Sequence, residues 1–244
     1  MSAGEAESAG AAGGATRRVV IARKRGPVAS ILLSLIVTAI DFLLLALALG
    51  GVGAVLAHPR APALVLVWAV SGATLALARP VRSQDVVERT PETRLALLGL
   101  GFVPMLTPGV AALGERLGLW LFPGGATLRW AGVALVALGL SLRIAAMMQL
   151  GSRFSPIVAV QAEHALETRG LYARVRHPGY LGAWLAALGA VLTFGSALGL
   201  VPLALFTALI GARVRKEETL LAARFGEAWR EYRARSGAFL PRPF

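Results

Sequence analysis

The stretch Gly170-Leu-Tyr-Ala-Arg-Val-Arg-His-Pro-Gly-Tyr-Leu-Gly182 places two arginines, one histidine and two tyrosines directly before a long apolar run. After a second apolar run, the chain becomes polar again at Arg213-Val-Arg-Lys-Glu-Glu218. Polar side chains packed this densely at a membrane boundary are costly unless they bind something. The two clusters therefore flank one apolar hairpin, and they predict a pocket for a ligand that carries both charges.

The composition indicates an integral membrane protein. Of the 244 residues, 56% are hydrophobic and only 16% are charged, against about 25% in ordinary soluble domains. The mean hydropathy is +0.67. The net charge of +12 does not indicate a nucleic acid partner, because the basic residues lie between apolar runs, where they set orientation and contact anionic lipids. The absence of cysteine excludes disulfides and thiolate sites, and no metal site is expected.

The order of apolar and polar segments predicts an all-α integral membrane fold, a bundle of about six apolar segments that ends in a helical hairpin and a cytoplasmic helical tail. We expect residues 1–27 to form a disordered basic segment, residues 28–150 four transmembrane helices, and residues 151–244 a catalytic region with a cofactor-binding loop. The glycines at 50, 51 and 53 can break the first segment. The apolar segments are Val28–Ala57, Ala63–Ala78, Leu95–Leu113, Leu128–Leu150, Pro178–Phe194 and Ala197–Ala212.

The basic residues also predict an orientation. They concentrate before the first segment, in loops 79–94 and 151–176, and in the tail, which all fall on one side of a bundle of six segments. The positive-inside rule makes that side cytoplasmic, including both termini. A composition rich in Ala, Gly, Leu and Arg is typical of a bacterial chain, so the expected location is a bacterial inner membrane.

The pair His177-Pro178 predicts a helix start. Proline disfavours helix for the preceding residue and suits the first helical position, so His177 should cap the helix. The free N–H groups of a helix end bind anions, and Arg174 and Arg176 add positive charge beside them. A ligand carboxylate or phosphate would fit there. The simpler interpretation of these arginines is contact with lipid headgroups.

Aromatic and acidic residues complete the predicted pocket. Tyr172 and Tyr180 can attract a cation, although tyrosines at an interface are often only anchors. Glu217 and Glu218 are neighbours on a helix, so one can face the pocket while the other faces water. Arg213 lies one turn before Glu217. The two residues can form a surface ion pair, or both can line the pocket. S-adenosylmethionine, with its carboxylate, amine, sulfonium and aromatic base, matches these groups. The sequence lacks the strand, glycine-rich turn and helix of a soluble methyltransferase.

These motifs resemble a known family. The segment from His164 to Gly182, together with Arg213-x-x-x-Glu217-Glu218 and Phe225-Gly-Glu-Ala-Trp-Arg-Glu-Tyr232, is similar to the core of the isoprenylcysteine carboxyl methyltransferase family. The resemblance covers roughly residues 150–244. It implies a membrane bundle whose last helices and tail bind S-adenosylmethionine, with Arg213 as the catalytic residue that holds the acceptor carboxylate.

The resemblance also implies a set of cofactor contacts. Gln161 is included although its spacing from His164 differs from that in the family. Arg176 and Glu218 are included because of their charges, as argued above. The full predicted set is Gln161, His164, Ala165, Leu166, Glu167, Tyr172, Arg176, His177, Pro178, Gly179, Tyr180, Glu217 and Glu218.

The expected function is therefore methyl transfer from S-adenosylmethionine to a lipophilic acceptor, by resemblance an isoprenylcysteine-type or isoprenoid carboxylate. The expected partners are a lipophilic small molecule or lipid substrate and the membrane lipids. Amine and thiol acceptors stay open, as do a phospholipid N-methyltransferase, an NADPH-dependent sterol-type reductase of related fold, and a non-catalytic transporter or scaffold. Asp41 lies alone in the first apolar segment, and a partner on a neighbouring helix, for example near Arg143, would explain it.

Overall fold

The computed structural model describes residues 27–78, 91–151 and 166–242. Most of the predicted N-terminal segment and most of loop 79–94 lie outside these residues. Within them the chain forms seven α-helices, and residues Gly170–Ala173 and Ala197–Gly199 form short 3₁₀ turns. The helices are α1 Pro27–Leu49, α2 Val52–Ala57, α3 Ala61–Ala78, α4 Pro91–Leu117, α5 Ala126–Leu150, α6 Pro178–Phe194 and α7 Leu200–Arg235.

The predicted membrane fold class is confirmed. Five helical stretches in the described part are long and apolar enough to cross a membrane, and α6 is a shorter apolar helix. The first apolar segment is divided at Gly50 and Gly51 into α1 and α2, as the glycines predict. α7 continues beyond its apolar part to Arg235, because the sequence after Ala212 is rich in residues that favour helix.

α5 and α6 pack with their backbones in direct contact. A Cβ atom added at Gly139 would lie 2.5 Å from the carbonyl oxygen of Gly182, and one added at Gly182 would lie 2.7 Å from the amide nitrogen of Arg143. Small residues at such crossings let two membrane helices approach closely. The backbone of Arg143 therefore lies against the first turns of α6.

α6 and α7 form the predicted hairpin. Their buried apolar residues pack together with Val103 of α4, and Phe206 and Ile210 of α7 belong to this core. Trp184 donates a hydrogen bond to Thr207 across the hairpin at 2.9 Å. This packing fixes the register of the two helices, so the residues that follow Ile210 face the start of α6.

The end of α7 turns back onto the segment that precedes α6. Gly226 interrupts the helix with a φ of 52°, a backbone conformation that glycine adopts without steric cost. Beyond it, Trp229 and Tyr232 are buried. The Tyr232 hydroxyl donates to the carbonyl of Tyr172 at 2.7 Å, and the amide of Arg176 donates to the carbonyl of Gly237 at 2.8 Å. The tail is therefore part of the structure around the proposed pocket.

A second polar cluster lies at the other end of α6. Glu115 of α4 accepts from Arg60 at 2.7 Å, from Arg129 at 3.4 Å and from His58 at 3.1 Å. Arg129 also donates to the carbonyl of Phe194, the last residue of α6, at 2.5 Å. This cluster joins the loop before α3 to α4, α5 and α6, and we refer to it as the Glu115 cluster.

Candidate active site

Tyr180 is the centre of a chain of hydrogen bonds between α6 and α7. Its hydroxyl accepts from Nε of Arg213 at 3.2 Å and donates to Oε2 of Glu217 at 3.2 Å. Arg213 is buried, with 7% of its surface exposed. Arg213 and Glu217 lie one turn apart on α7, so both reach one hydroxyl on the first turn of α6. The structure therefore brings together the three residues that the sequence had placed in two separate motifs.

Glu218 points to a different part of the same region. It accepts from Nε of Arg176 at 2.9 Å and lies 3.2 Å from Nε2 of His177, while Nε of Arg233 lies 3.7 Å from its other oxygen. The prediction that one of the two glutamates faces water is wrong. The next position on the helix is rotated by about 100°, and in α7 that direction is filled by the residues before α6.

These contacts determine the ionisation of Glu218, which lies in the polar extension of α7. An ionised carboxylate only accepts hydrogen bonds, so the His177 ring donates to it. This hydrogen bond is the largest cause that lowers the pKa of Glu218 to about 2, and the guanidinium of Arg176 lowers it further, against the opposing effect of burial. Glu218 is therefore a permanent anion that holds the start of α6.

Arg176 is buried, and its charge is used by the protein itself. Its Nη1 donates to the carbonyl of Ser236 and to that of Arg233, the latter at 3.4 Å. Its guanidinium lies 5.9 Å from the centre of the Trp229 ring. The sequence predicts Arg176 beside a bound anion, but the structure places it between Glu218 and the carbonyls of the tail.

His177 is the N-cap of α6 and Pro178 its first residue, as the pair predicts. The ring is 4% exposed and lies between the rings of Tyr180 and Phe239, at centroid distances of 5.9 and 6.1 Å. Its side chain does not cap the helix, because its Nε2 faces Glu218. The histidine thus packs next to Tyr180 at the start of α6.

Tyr172 lies in the 3₁₀ turn before α6 and is buried. Its hydroxyl donates to the carbonyl of Ala146 at 3.3 Å. Burial is the main cause that raises the pKa of Tyr172 above its ordinary value, and the charge of Glu217 adds to it. The tyrosine therefore stays neutral and connects the segment before α6 to α5.

The same segment is held by Gln149, which is absent from the predicted set of site residues. Nε2 of Gln149, near the end of α5, donates to the carbonyl of Arg169 at 2.6 Å, and its Oε1 accepts from the amide of Leu171 at 3.0 Å. The carboxylate of Glu167 accepts from the amide of Arg169 at 3.1 Å. The only sequence signal for this contact is a lone glutamine at the end of an apolar helix.

Arg143 is a second residue whose role the sequence did not indicate. Its Nη1 donates to the carbonyl of Gly179 at 3.2 Å, and it makes no bond with Asp41 in the part of the chain that is described. The suggested pair of Asp41 and Arg143 is wrong, because α1 packs against α3 and α4 and not against α5.

Some of the predicted cofactor residues contact one another in the structure, as Tyr180 does with Glu217 and His177 with Glu218. Leu166 and Glu167 lie at the start of the segment before α6, and Pro178 and Gly179 in its first turn. Gln161, His164 and Ala165 lie outside the described residues, and every cofactor contact in the predicted set remains a prediction. Among the described residues, no three His, Asp or Glu side chains form a group that could hold a metal ion.

Comparison with protein families identifies this region. Residues 132–223, from α5 into the polar part of α7, match the model of the isoprenylcysteine carboxyl methyltransferase (ICMT) family. The resemblance to this family that the sequence predicts is confirmed over residues 132–223. The matched ICMT region contains Arg143, Tyr172, Tyr180, Arg213 and Glu217.

Individual relatives agree with this match. The protein-S-isoprenylcysteine O-methyltransferase of Schizosaccharomyces pombe is 37% identical over 112 residues, which cover 43% of this chain and 46% of that protein. The human protein of the same name is 34% identical over 113 residues, which cover 45% of this chain and 40% of that protein. The chain thus spans slightly less than half the length of these relatives.

A solved structure of the eukaryotic intramembrane Ras methyltransferase ICMT also resembles the chain. The likeness covers 82% of this chain and 72% of that one, with 20% sequence identity and a TM-score of 0.48.

Proposed function

We propose that this protein is an integral membrane methyltransferase that transfers a methyl group from S-adenosylmethionine to the carboxylate of an isoprenylcysteine-type acceptor. The observation that carries the proposal is the chain Arg213–Tyr180–Glu217, in which a buried cation and a carboxylate share one hydroxyl inside the ICMT region. Such an arrangement has one charged group for each of two ligands. In this proposal Glu217 faces the methyl donor and Arg213 faces the acceptor.

The residues present fit S-adenosylmethionine. Glu217 accepts one hydrogen bond from Tyr180, and a carboxylate has further lone pairs for an ammonium or for ribose hydroxyls. The aromatic face of Tyr180 suits a sulfonium cation. When bound, this cofactor supplies a methyl group activated by its positively charged sulfur. By resemblance, Gln161, His164, Ala165, Leu166, Glu167 and Tyr172, with the turn His177–Tyr180, join Glu217 in holding it, while Arg176 and Glu218 position that turn.

The chain's own contribution is orientation. The buried guanidinium of Arg213 presents a fork of N–H donors that matches a carboxylate. The hydroxyl of Tyr180 fixes Nε of that guanidinium, so the remaining donors have a defined direction. Holding both reactants in line is the larger part of catalysis for such a transfer. The apolar surfaces of α6 and α7 keep water away and suit a lipid tail that arrives from the bilayer.

We also propose that the site faces the cytoplasm of a bacterial cell, at its inner membrane. The basic loops support this orientation, and the methyl donor is a cytosolic molecule. The chain has no cysteine, so single cysteines report topology cleanly. Arg230→Cys, on the exposed face of the tail, should react with a membrane-impermeant reagent only from the cytoplasmic side. Pro123→Cys, between α4 and α5, should react only from the opposite side, and the reverse pattern would contradict the orientation.

The function is tested by binding and by transfer. S-adenosylhomocysteine at 100-fold its dissociation constant should stabilise the detergent-solubilised protein by about 2.7 kcal/mol, and NADPH should not. A labelled methyl group should then pass to N-acetyl-S-farnesylcysteine and not to phosphatidylethanolamine. Stabilisation by NADPH alone would indicate a reductase, methylation of phosphatidylethanolamine would indicate an N-methyltransferase, and binding of neither nucleotide would favour a non-catalytic protein.

A further inference from the structure

Gln149 binds the segment before α6 with both ends of its side-chain amide. It lies one residue before α5 ends at Leu150. Its Nε2 donates to the carbonyl of Arg169 at 2.6 Å, and its Oε1 accepts from the amide of Leu171 at 3.0 Å. An amide side chain carries a donor and an acceptor on one planar group, so a single residue satisfies two backbone groups. We refer to these two bonds as the Gln149 clamp; the mechanism proposed above gives it no role.

Gly170 lies between the two bonds of the Gln149 clamp. Its φ is 50°, a conformation that glycine adopts without steric cost. A Cβ atom added there would lie 2.7 Å from both Nε2 and Oε1 of Gln149. The amide therefore packs directly onto the Gly170 backbone, and no side chain could stand between them. This close approach fixes the segment in one position against the end of α5.

Arg169 links the clamp to two of the predicted cofactor residues. Its amide donates to the carboxylate of Glu167 at 3.1 Å. Its carbonyl accepts from Gln149 and also from the amide of Tyr172 at 2.9 Å. The backbone of one residue therefore contacts Glu167 on one side and Tyr172 on the other, and the clamp attaches that residue to α5.

Tyr172 is attached to α5 a second time, one turn before the clamp. Its hydroxyl donates to the carbonyl of Ala146 at 3.3 Å, and positions 146 and 149 share a face of the helix. From the opposite direction, the hydroxyl of Tyr232 donates to the carbonyl of Tyr172 at 2.7 Å. The end of α5 and the tail thus hold this segment from two sides, and the segment leads into the first turn of α6.

We propose that Gln149 is a positioning residue for the methyl donor. Through the clamp it fixes the backbone between Glu167 and Tyr172, and these two side chains then meet the cofactor in a defined arrangement. Gln149 itself touches no reacting atom. This inference rests on the proposed function, in which both residues help to hold S-adenosylmethionine. It gives the last turn of α5 a role in cofactor affinity that is separate from acceptor binding.

Gln149→Met tests the clamp in the full-length protein in detergent. Methionine keeps the unbranched shape but has no donor and only a weak acceptor. Affinity for S-adenosylhomocysteine should fall about tenfold, the scale of one to two neutral hydrogen bonds. KM for S-adenosylmethionine should rise in parallel, while KM for N-acetyl-S-farnesylcysteine should stay at the wild-type value. Unchanged cofactor affinity, or an equal rise in both KM values, would overturn the inference.

Thr74→Val is the control for the loss of a side-chain bond. The Thr74 hydroxyl donates to the carbonyl of Val70 on α3 at 2.8 Å and is exposed, as the Gln149 bonds are. A purely structural role for Gln149 predicts that both variants change thermal stability alone. In our proposal, Thr74→Val keeps the wild-type cofactor affinity.

Gln149→Glu provides a second readout, which a general loss of stability would not produce. An ionised carboxylate only accepts hydrogen bonds, whereas a protonated carboxyl can donate to the carbonyl of Arg169 and accept from the amide of Leu171. The affinity of this variant, divided by that of the wild type at the same pH, should recover several-fold as the pH falls from about 8 to about 5, toward the ordinary pKa of a glutamate. The same ratio for Gln149→Met should be independent of pH. A flat ratio for Gln149→Glu would overturn the inference, even if Gln149→Met did not fold.

Failure of the proposed function itself appears in the wild type, as absent binding of S-adenosylhomocysteine or absent methyl transfer. Failure of this inference appears only in the Gln149 variants, with the wild type binding and active.

Discussion

Nε of Arg213 donates a hydrogen bond to the hydroxyl oxygen of Tyr180 at 3.2 Å, from α7 to α6. The hydroxyl in turn donates a hydrogen bond to Glu217, so the cation and the carboxylate are coupled through one phenol. If Arg213 holds the acceptor, Arg213→Ala should cut methyl transfer about a hundredfold while leaving cofactor affinity nearly intact. Loss of a charge-assisted contact in a dry site is worth about 3 kcal/mol. Titration calorimetry with S-adenosylhomocysteine, run beside a transfer assay, measures both quantities.

Arg213→Lys is the control for this variant. Lysine keeps the charge but cannot present a bidentate fork, so it should restore only part of the activity. Loss of cofactor binding in Arg213→Ala, to the extent seen in a Glu217→Ala variant, would assign Arg213 to the cofactor site instead.

Removing the hydroxyl of Tyr180 tests the coupling itself. Tyr180→Phe keeps the ring beside His177 but deletes the atom that accepts from Arg213 and donates to Glu217. We expect a protein of nearly wild-type thermal stability whose transfer rate falls by about tenfold, since one neutral hydrogen bond to each charged group is lost. Kinetics over a range of acceptor concentrations provide the measurement. Wild-type kinetics in this variant would mean that Arg213 and Glu217 are positioned without the phenol.

Glu217 and Glu218 are adjacent, but the same substitution should affect a different property at each position. Glu218→Gln leaves the buried groups of Arg176 and His177 without their carboxylate, so it should destabilise the protein by about 3 kcal/mol. Glu217→Gln removes a carboxylate bound to a neutral hydroxyl, so it should weaken S-adenosylhomocysteine binding with a smaller loss of stability. Thermal unfolding and calorimetry on both variants decide. Equal effects of the two variants on both measurements would contradict the division of roles.

The pH dependence of stability follows from the lowered pKa of Glu218. A carboxyl group whose pKa is depressed in the folded state stabilises the protein above its ordinary pKa and loses this effect as the pH falls through the folded value. The contribution of Glu218 should therefore be complete above a pH of about 4.5 and disappear as the pH falls toward about 2. Glu218→Gln should show a flatter dependence over this interval in thermal unfolding experiments. A parallel curve for variant and wild type would show that Glu218 does not titrate in this way.

Local sequence signals located the hairpin but not the contacts that support it. The bounds of α6 follow from His177-Pro178 at its start and Gly195 at its end. Both are local helix start and stop signals, which act within a few residues. The role of Arg176 could not be predicted in the same way. Its partners Ser236 and Trp229 reach it only because Gly226 turns the tail back.

Arg143 illustrates the same limit within the membrane. The sequence shows a single charge in this apolar segment and suggests Asp41 on α1 as its partner. The partner is instead the backbone of α6, which α5 approaches through Gly139 and Gly182. Backbone carbonyls leave no mark in a sequence, so only the packing of the helices could identify this contact.

The Glu115 cluster should contribute to stability and not to the chemistry. Glu115→Ala would leave Arg60, Arg129 and His58 mostly buried without their shared carboxylate, whose side chain is 21% exposed. Removing one partner of a buried ion pair costs about 3–5 kcal/mol.

The control is Glu227→Ala, because the pair of Glu227 and Arg230 is exposed by 68% and 75% and such pairs contribute about 1 kcal/mol or less. Thermal unfolding in detergent compares the two variants. S-adenosylhomocysteine affinity should be unchanged in both. The Glu115 cluster lies at the last residue of α6, and that helix separates it from the start of α6 by about 25 Å. Equal stability losses in the two variants would mean that water solvates the Glu115 cluster, and a loss of cofactor affinity in Glu115→Ala alone would mean that this end of α6 is coupled to the site.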